Sequence, residues 1–128
     1  MCIRDRSITA QGGQTIFLAN TDESDDRETE VIDDLLSRVD GMLLAPASEN
    51  NPNPQRLADA GVPTVLIDRE VPSTGCFDAV LIDNYGGARF AVAHLLSKGH
   101  ERIATIAGPV ESTPGRLRLE GYLSLIHI

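Results

Sequence analysis

Tryptophan is absent from this 128-residue chain, and aromatic residues make up only 4% of it. So few rings argue against an aromatic platform for stacking sugars or single-stranded bases within these residues. Basic residues are also scarce: 11 Lys and Arg stand against 19 Asp and Glu, for a formal net charge of −8. A polyanion such as DNA needs a basic face, and the scattered cations offer none. Cysteine occurs only as Cys2 and Cys76. Two distant thiols make no disulfide framework, which fits a reducing compartment. No apolar run approaches the ~20 residues that span a bilayer, and no apolar stretch at the start marks a secretory signal. Catalytic signatures are missing as well. There is no G-x-S-x-G elbow, no phosphate loop ending in Gly-Lys-Ser/Thr and no G-x-G-x-x-G after a strand. No His, Cys and carboxylate group has metal-ligand spacing.

What the chain does have is 41% hydrophobic residues, enough for one modest globular domain with a core. These gather in short runs at 15–19 (TIFLA), 41–45 (GMLLA), 62–67 (VPTVLI), 79–82 (AVLI) and 102–107 (RIATIA). The runs are nearly continuous rather than alternating, the mark of parallel strands with helices on both faces. The fold class read from this pattern is α/β, with right-handed crossovers.

Helical patterns lie between the runs. Val31, Ile32, Leu35 and Leu36 recur one turn apart, behind an acidic entry that the helix dipole favours. That acidic stretch lacks the spacing of a calcium loop and reads as a solvated helix start. Asn53-Pro54 opens a second helix and Gly61 closes it, with Leu57 and Ala60 as its buried stripe. PSTG at 72–75 reads as a loop. Asn84 is the expected N-cap of a third helix, from about Tyr85 to Lys98, with Gly99 at its C-terminal end. Thr113-Pro114 begins a fourth.

In an open parallel sheet, ligands bind beyond the carboxyl ends of the strands, where loops share one crevice and helix N-termini point into it. Here those positions are Asn20-Thr21, Pro46-Ala47-Ser48, Asp68-Arg69, Asp83-Asn84 and Gly108-Pro109. A carboxylate, a guanidinium and amides on one rim suit a polyhydroxylated or nucleoside-like ligand, because carboxylates accept hydroxyl protons and guanidinium donates in a planar fork. Asp68 is the leading candidate, its alternative being the cap of a neighbouring turn. Arg69 is either a ligand donor or a clamp on Asp68. Asp83 and Asn84 read mainly as cap and crossover residues, with Asp83 kept as a ligand candidate. His94 and His100 read as structural.

Seven pieces in order carry a resemblance: LANT (18–21), VDGMLL (39–44), VLIDR (65–69), Asp83-Asn84 with Gly87, Gly99-His100 followed by RIA (102–104), Gly108-Pro109, and RLR (116–118) with Gly121-Tyr122. Over roughly residues 7–123 the chain resembles the effector-binding core of the lac repressor–like (LacI/GalR) transcription regulators. The resemblance implies an incomplete type I periplasmic-binding-protein-like fold that senses a sugar or other small metabolite between two lobes, without cofactor, metal or catalysis. Residues 7–82 would form the first lobe, lacking its first strand, and 83–123 would begin the second. Residues 1–6 and 124–128 match nothing and are expected to be non-native tails. The resemblance adds Ser112 and Arg118 to the ligand-binding candidates, and puts Pro114 where several relatives carry a hydroxyl. It further implies a cytoplasmic protein, DNA contact only through a helix-turn-helix domain outside this chain, no membrane partner, and a homodimer for the intact protein. A periplasmic sugar-binding protein of an ABC transporter shares the two-lobed fold and is the alternative; a nucleotide-handling α/β enzyme is the more distant one. Without the first lobe's middle strand, the isolated chain is expected to be marginally stable and to bind effector weakly.

Overall fold

The computed structural model describes residues 12–71 and 77–126. The expected loop at 72–75 and the expected tail at 1–6 lie outside them. Three short strands, β1 (Met42–Leu44), β2 (Thr64–Ile67) and β3 (Asp78–Val80), form a parallel sheet in the order β1-β2-β3. Leu44 pairs with Leu66, and Leu66 with Ala79. Successive side chains point to opposite faces, so these three share one face, while Leu43, Val65, Ile67 and Val80 share the other. The first face packs against helices α1 (Asp25–Leu35) and α2 (Asn53–Asp59), and the core is Ile32, Leu44, Leu57, Leu66 and Val71. The second face is open among the described residues, with Leu43 72% exposed. The parallel sheet with helices follows the expectation; the cover on both faces does not form within these residues.

Ser24 caps α1, its hydroxyl accepting from the Arg27 N–H at 3.3 Å. Ile32 is buried and Leu36 packs on the core, while Val31 and Leu35 are only half-buried. The acidic entry of α1 is not simply solvated, because Glu28 is only 1% exposed. Glu28 lies one turn before Ile32, on the same helix face. In α2, Leu57 is fully buried. Ala60 is exposed rather than part of the stripe, because it lies past the last helical residue, at the C-cap.

Helix α3 spans Asn84–Ser97 and is capped by Asp83, not Asn84. An Asp83 carboxylate oxygen accepts from the Gly86 N–H at 2.7 Å, and Asn84 already belongs to the first turn. Gly99, at φ +83°, ends the helix. Its N–H donates to the Leu96 carbonyl and that of His100 to the Leu95 carbonyl, which satisfies two free carbonyls of the last turn. Helix α4 (Thr113–Leu123) is capped by Ser112 and packs on α3. The contact is close at Gly121, where a Cβ would lie 2.4 Å from the Tyr85 carbonyl oxygen. The turn after α4 continues into Ser124, whose N–H donates to the Glu120 carbonyl.

Residues 15–19 and 102–107, both expected as strands, join no sheet. The reason is physical: a strand exists only as half of a ladder, and no described strand lies beside either segment. Leu18 and Ile106 are accordingly exposed. Side chains hold these segments instead. The Arg38 guanidinium sits 4.5 Å from the centre of the Phe17 ring, and the Tyr122 hydroxyl donates to the Ile103 carbonyl at 2.7 Å. No helix among the described residues is long and apolar enough to cross a membrane.

Candidate functional site

The rim begins at the carboxyl end of β1, where residues 45–52 lead into α2. This loop is held from behind by α1. One Glu28 carboxylate oxygen accepts from the Ala47 N–H at 2.8 Å, and the other from the side-chain amides of Asn51 (2.7 Å) and Asn53 (3.1 Å). Asp25 accepts from the Ser48 hydroxyl and the Asn51 amide, each at 2.9 Å. Burying a carboxylate is costly unless its oxygens are hydrogen-bonded, and here three donors meet that need. The result is a loop whose shape is fixed by a side chain from a neighbouring element.

Arg69, at the end of β2, braces the same loop from the other side. Its guanidinium donates to the carbonyls of Ala47 (2.5 Å) and Pro46 (3.2 Å) and lies 3.5 Å from a Glu23 carboxylate oxygen. The expected clamp on Asp68 does not form, because these carbonyls and Glu23 take up the guanidinium. Asp68 itself is half-buried at φ +67°, a left-handed backbone that a non-glycine residue adopts only at a cost. Its N–H donates to the Val80 carbonyl at 3.0 Å, which locks this geometry onto β3. The carboxylate makes no hydrogen bond or ion pair among the described residues, so it is not the cap of a neighbouring turn.

On α4, Arg118 donates to the Asn84 side-chain oxygen at 2.8 Å, and the Asn84 amide in turn donates to the Ile82 carbonyl at 3.2 Å. One Arg118 terminal nitrogen lies beside Gly108. Guanidinium carries five N–H donors, and the bond to Asn84 uses one of them. Ser112 works as a cap: its hydroxyl donates to the Pro109 carbonyl at 2.9 Å and accepts from the Gly115 N–H at 3.2 Å. Asp83 likewise holds the start of α3. The two halves of the rim are linked where the Thr113 N–H donates to the Glu49 carboxylate. Among the described residues no group of three or more His, Cys, Asp and Glu could hold a metal ion.

Reading the sequence misses Glu28, Asn51 and Glu49. For Glu28 a signal exists, since it falls on the Ile32 face of α1. For Glu49 there is none, because its partner is 64 residues away.

The profile of the family described as "Periplasmic binding proteins and sugar binding domain of LacI family" matches residues 4–127. Over 112 residues the chain is 38% identical to the ribose operon repressor of Escherichia coli, covering 86% of this chain and 34% of the repressor. Among solved structures, a CelR transcriptional regulator in complex with cellobiose is 40% identical at a TM-score of 0.66, covering 79% of this chain and 32% of that one. The Cra dual regulator of Pseudomonas putida, in complex with fructose 1-phosphate, is 25% identical at a TM-score of 0.79, covering 90% and 43%. The chain belongs to this family of periplasmic binding proteins and LacI-type sugar-binding domains, and its fold is periplasmic-binding-protein-like. It spans about a third of the length of the ribose operon repressor it matches.

Proposed function

We propose that the chain is the effector-sensing part of a LacI-type transcriptional regulator, and that it binds a sugar or related metabolite without making or breaking bonds. The observation that carries this reading is the rim itself. An open carboxylate on strained backbone at Asp68 and an Arg118 guanidinium with free donors stand on separate elements that Glu49 joins at Thr113. Carboxylate and guanidinium together accept and donate to vicinal hydroxyls. Arg69, Ser112 and Asp83 complete the proposed ligand rim, each also holding local structure. The relatives support a sugar-type effector: one is a repressor of a ribose operon, and two neighbours hold cellobiose and fructose 1-phosphate. Helices α1 and α2 share one core with the sheet, and α3 pairs with α4, which supports a first lobe ending at 82 and a second beginning at 83. In the intact regulator a helix-turn-helix domain would contact DNA, the receptor would be a cytoplasmic homodimer, and effector binding would change operator affinity by shifting the lobes.

The test is a titration of the isotope-labelled chain with D-ribose, cellobiose and adenosine, followed by NMR. The expected outcome is weak binding of at least one of them, with the amides of Asp68, Asp83, Ser112 and Arg118 responding together. No response to any of the three, or a response confined to one half of the rim, contradicts the reading.

A further inference from the structure

The first N–H groups of a helix lack partners within it and attract negative charge, so the start of a helix beside a ligand crevice bears on whether that ligand is charged. In α4 every such donor is already taken. The Ser112 N–H donates to the Pro109 carbonyl at 3.3 Å, the Thr113 N–H donates to the Glu49 carboxylate, Pro114 has no N–H, and the Gly115 N–H donates to the Ser112 hydroxyl at 3.2 Å. Of these acceptors only Glu49 comes from a distant part of the chain and carries charge. It is no stray surface group: it is half-buried, on a loop held by Glu28 through Ala47 and Asn51 and by Arg69 through two carbonyls.

We propose that Glu49 is a specificity-determining residue of the crevice. Its carboxylate supplies the negative charge at the start of α4 from within the protein, so the crevice takes an uncharged polyhydroxyl ligand and turns away the phosphorylated counterpart. The inference rests on the proposed sensing role and names the ligand class of that same site. A phosphate reaching Thr113 would have to displace a tethered carboxylate and meet its repulsion, with the carboxylates of Asp68 and Asp83 on the same rim. A neutral hydroxyl meets no such repulsion and still finds the open carboxylate of Asp68 and the free donors of Arg118.

The experiment follows the Thr113 amide resonance of the labelled 128-residue chain as inorganic phosphate is added, in the parent protein and in Glu49→Gln and Glu49→Ala. The expected result is no saturable response in the parent and, in each variant, a saturable shift with an apparent affinity at least about tenfold higher, the scale of one charge-assisted hydrogen bond. Should Glu49→Ala fail to fold, Glu49→Gln decides alone, because it keeps an acceptor oxygen and removes the charge. A parent amide that responds to phosphate as strongly as the variants, or variants that gain nothing, overturns the proposal. Sugar titrations on the same samples separate the two readings: silence toward every sugar contradicts sensing, whereas an unchanged phosphate response contradicts the role of Glu49.

Discussion

The region from Ser24 to Val71 and the region from Asp83 to Ile126 are built from similar helices, yet they bury their side chains very differently. The first region closes a core of Ile32, Leu44, Leu57, Leu66 and Val71, and beside it buries Glu28, Asn51 and Asn53. Every buried side-chain polar atom among the described residues has a hydrogen-bond partner. The second region packs α3 on α4, but Val92 is its only buried large apolar side chain, while Phe90, Ile106 and Val110 face solvent. The difference lies in layers rather than composition. Helices close a core when a second layer lies against them; α1 and α2 have the sheet, whereas α3 and α4 have only each other and the unpaired segment 102–107. The first region can therefore hold a rim loop in a fixed shape. The second presents its proposed site residues, Arg118, Ser112 and Asp83, through helix caps and a side-chain hydrogen bond to Asn84.

This contrast predicts a ranking of substitutions. Leu57→Ala empties a fully buried position and should lower unfolding stability by about 2–5 kcal/mol, read as a drop in the denaturant midpoint. A loss under about 1 kcal/mol would break the claim that the first region holds the core. Glu28→Ala should cost about 3 kcal/mol, because it strands the Ala47 N–H and the Asn53 amide and leaves the Asn51 amide with Asp25 alone. It should also speed hydrogen exchange at Ala47 and Asn53, with Glu28→Gln falling between the two. The smallest effect belongs to Phe90→Ala, at a residue 76% exposed on α3. It should change stability by less than about 0.5 kcal/mol, and a larger loss would show that the second region buries more than its contacts indicate.

Much of the fold is legible in the residues. The apolar runs around Leu43, Val65 and Ala79 read as parallel strands because they are continuous rather than alternating, and they pair in that way. Residues 15–19 and 102–107 carry the same apolar pattern but form no strand, since a ladder partner is not a property of the segment itself. The cap of α3 falls on Asp83 rather than Asn84 because both residue types cap well and only the backbone decides. The acidic start of α1 hides Glu28, for an acid in a first helical turn is favoured by the dipole whether it faces water or protein. For the proposed site, the strand-end rule points to Asp68 and Asp83, and Ser112 and Arg118 follow from family resemblance. The bond from the Asp68 N–H to Val80, the brace from Arg69 to residues 46 and 47, and the Glu49 link to Thr113 all join residues distant in sequence, and no local pattern encodes them.

The central claim is that one crevice is shared by both regions, with Asp68 from the first and Arg118 from the second contacting the same ligand. The most direct measurement is the affinity for whichever sugar binds in the titration above, compared among the parent chain, Asp68→Asn and Arg118→Met. The account predicts that each substitution weakens binding by about tenfold or more, the scale of a lost charge-assisted hydrogen bond, while the helical signal stays unchanged. Full affinity in either variant would show that the crevice belongs to one region alone and would contradict the account.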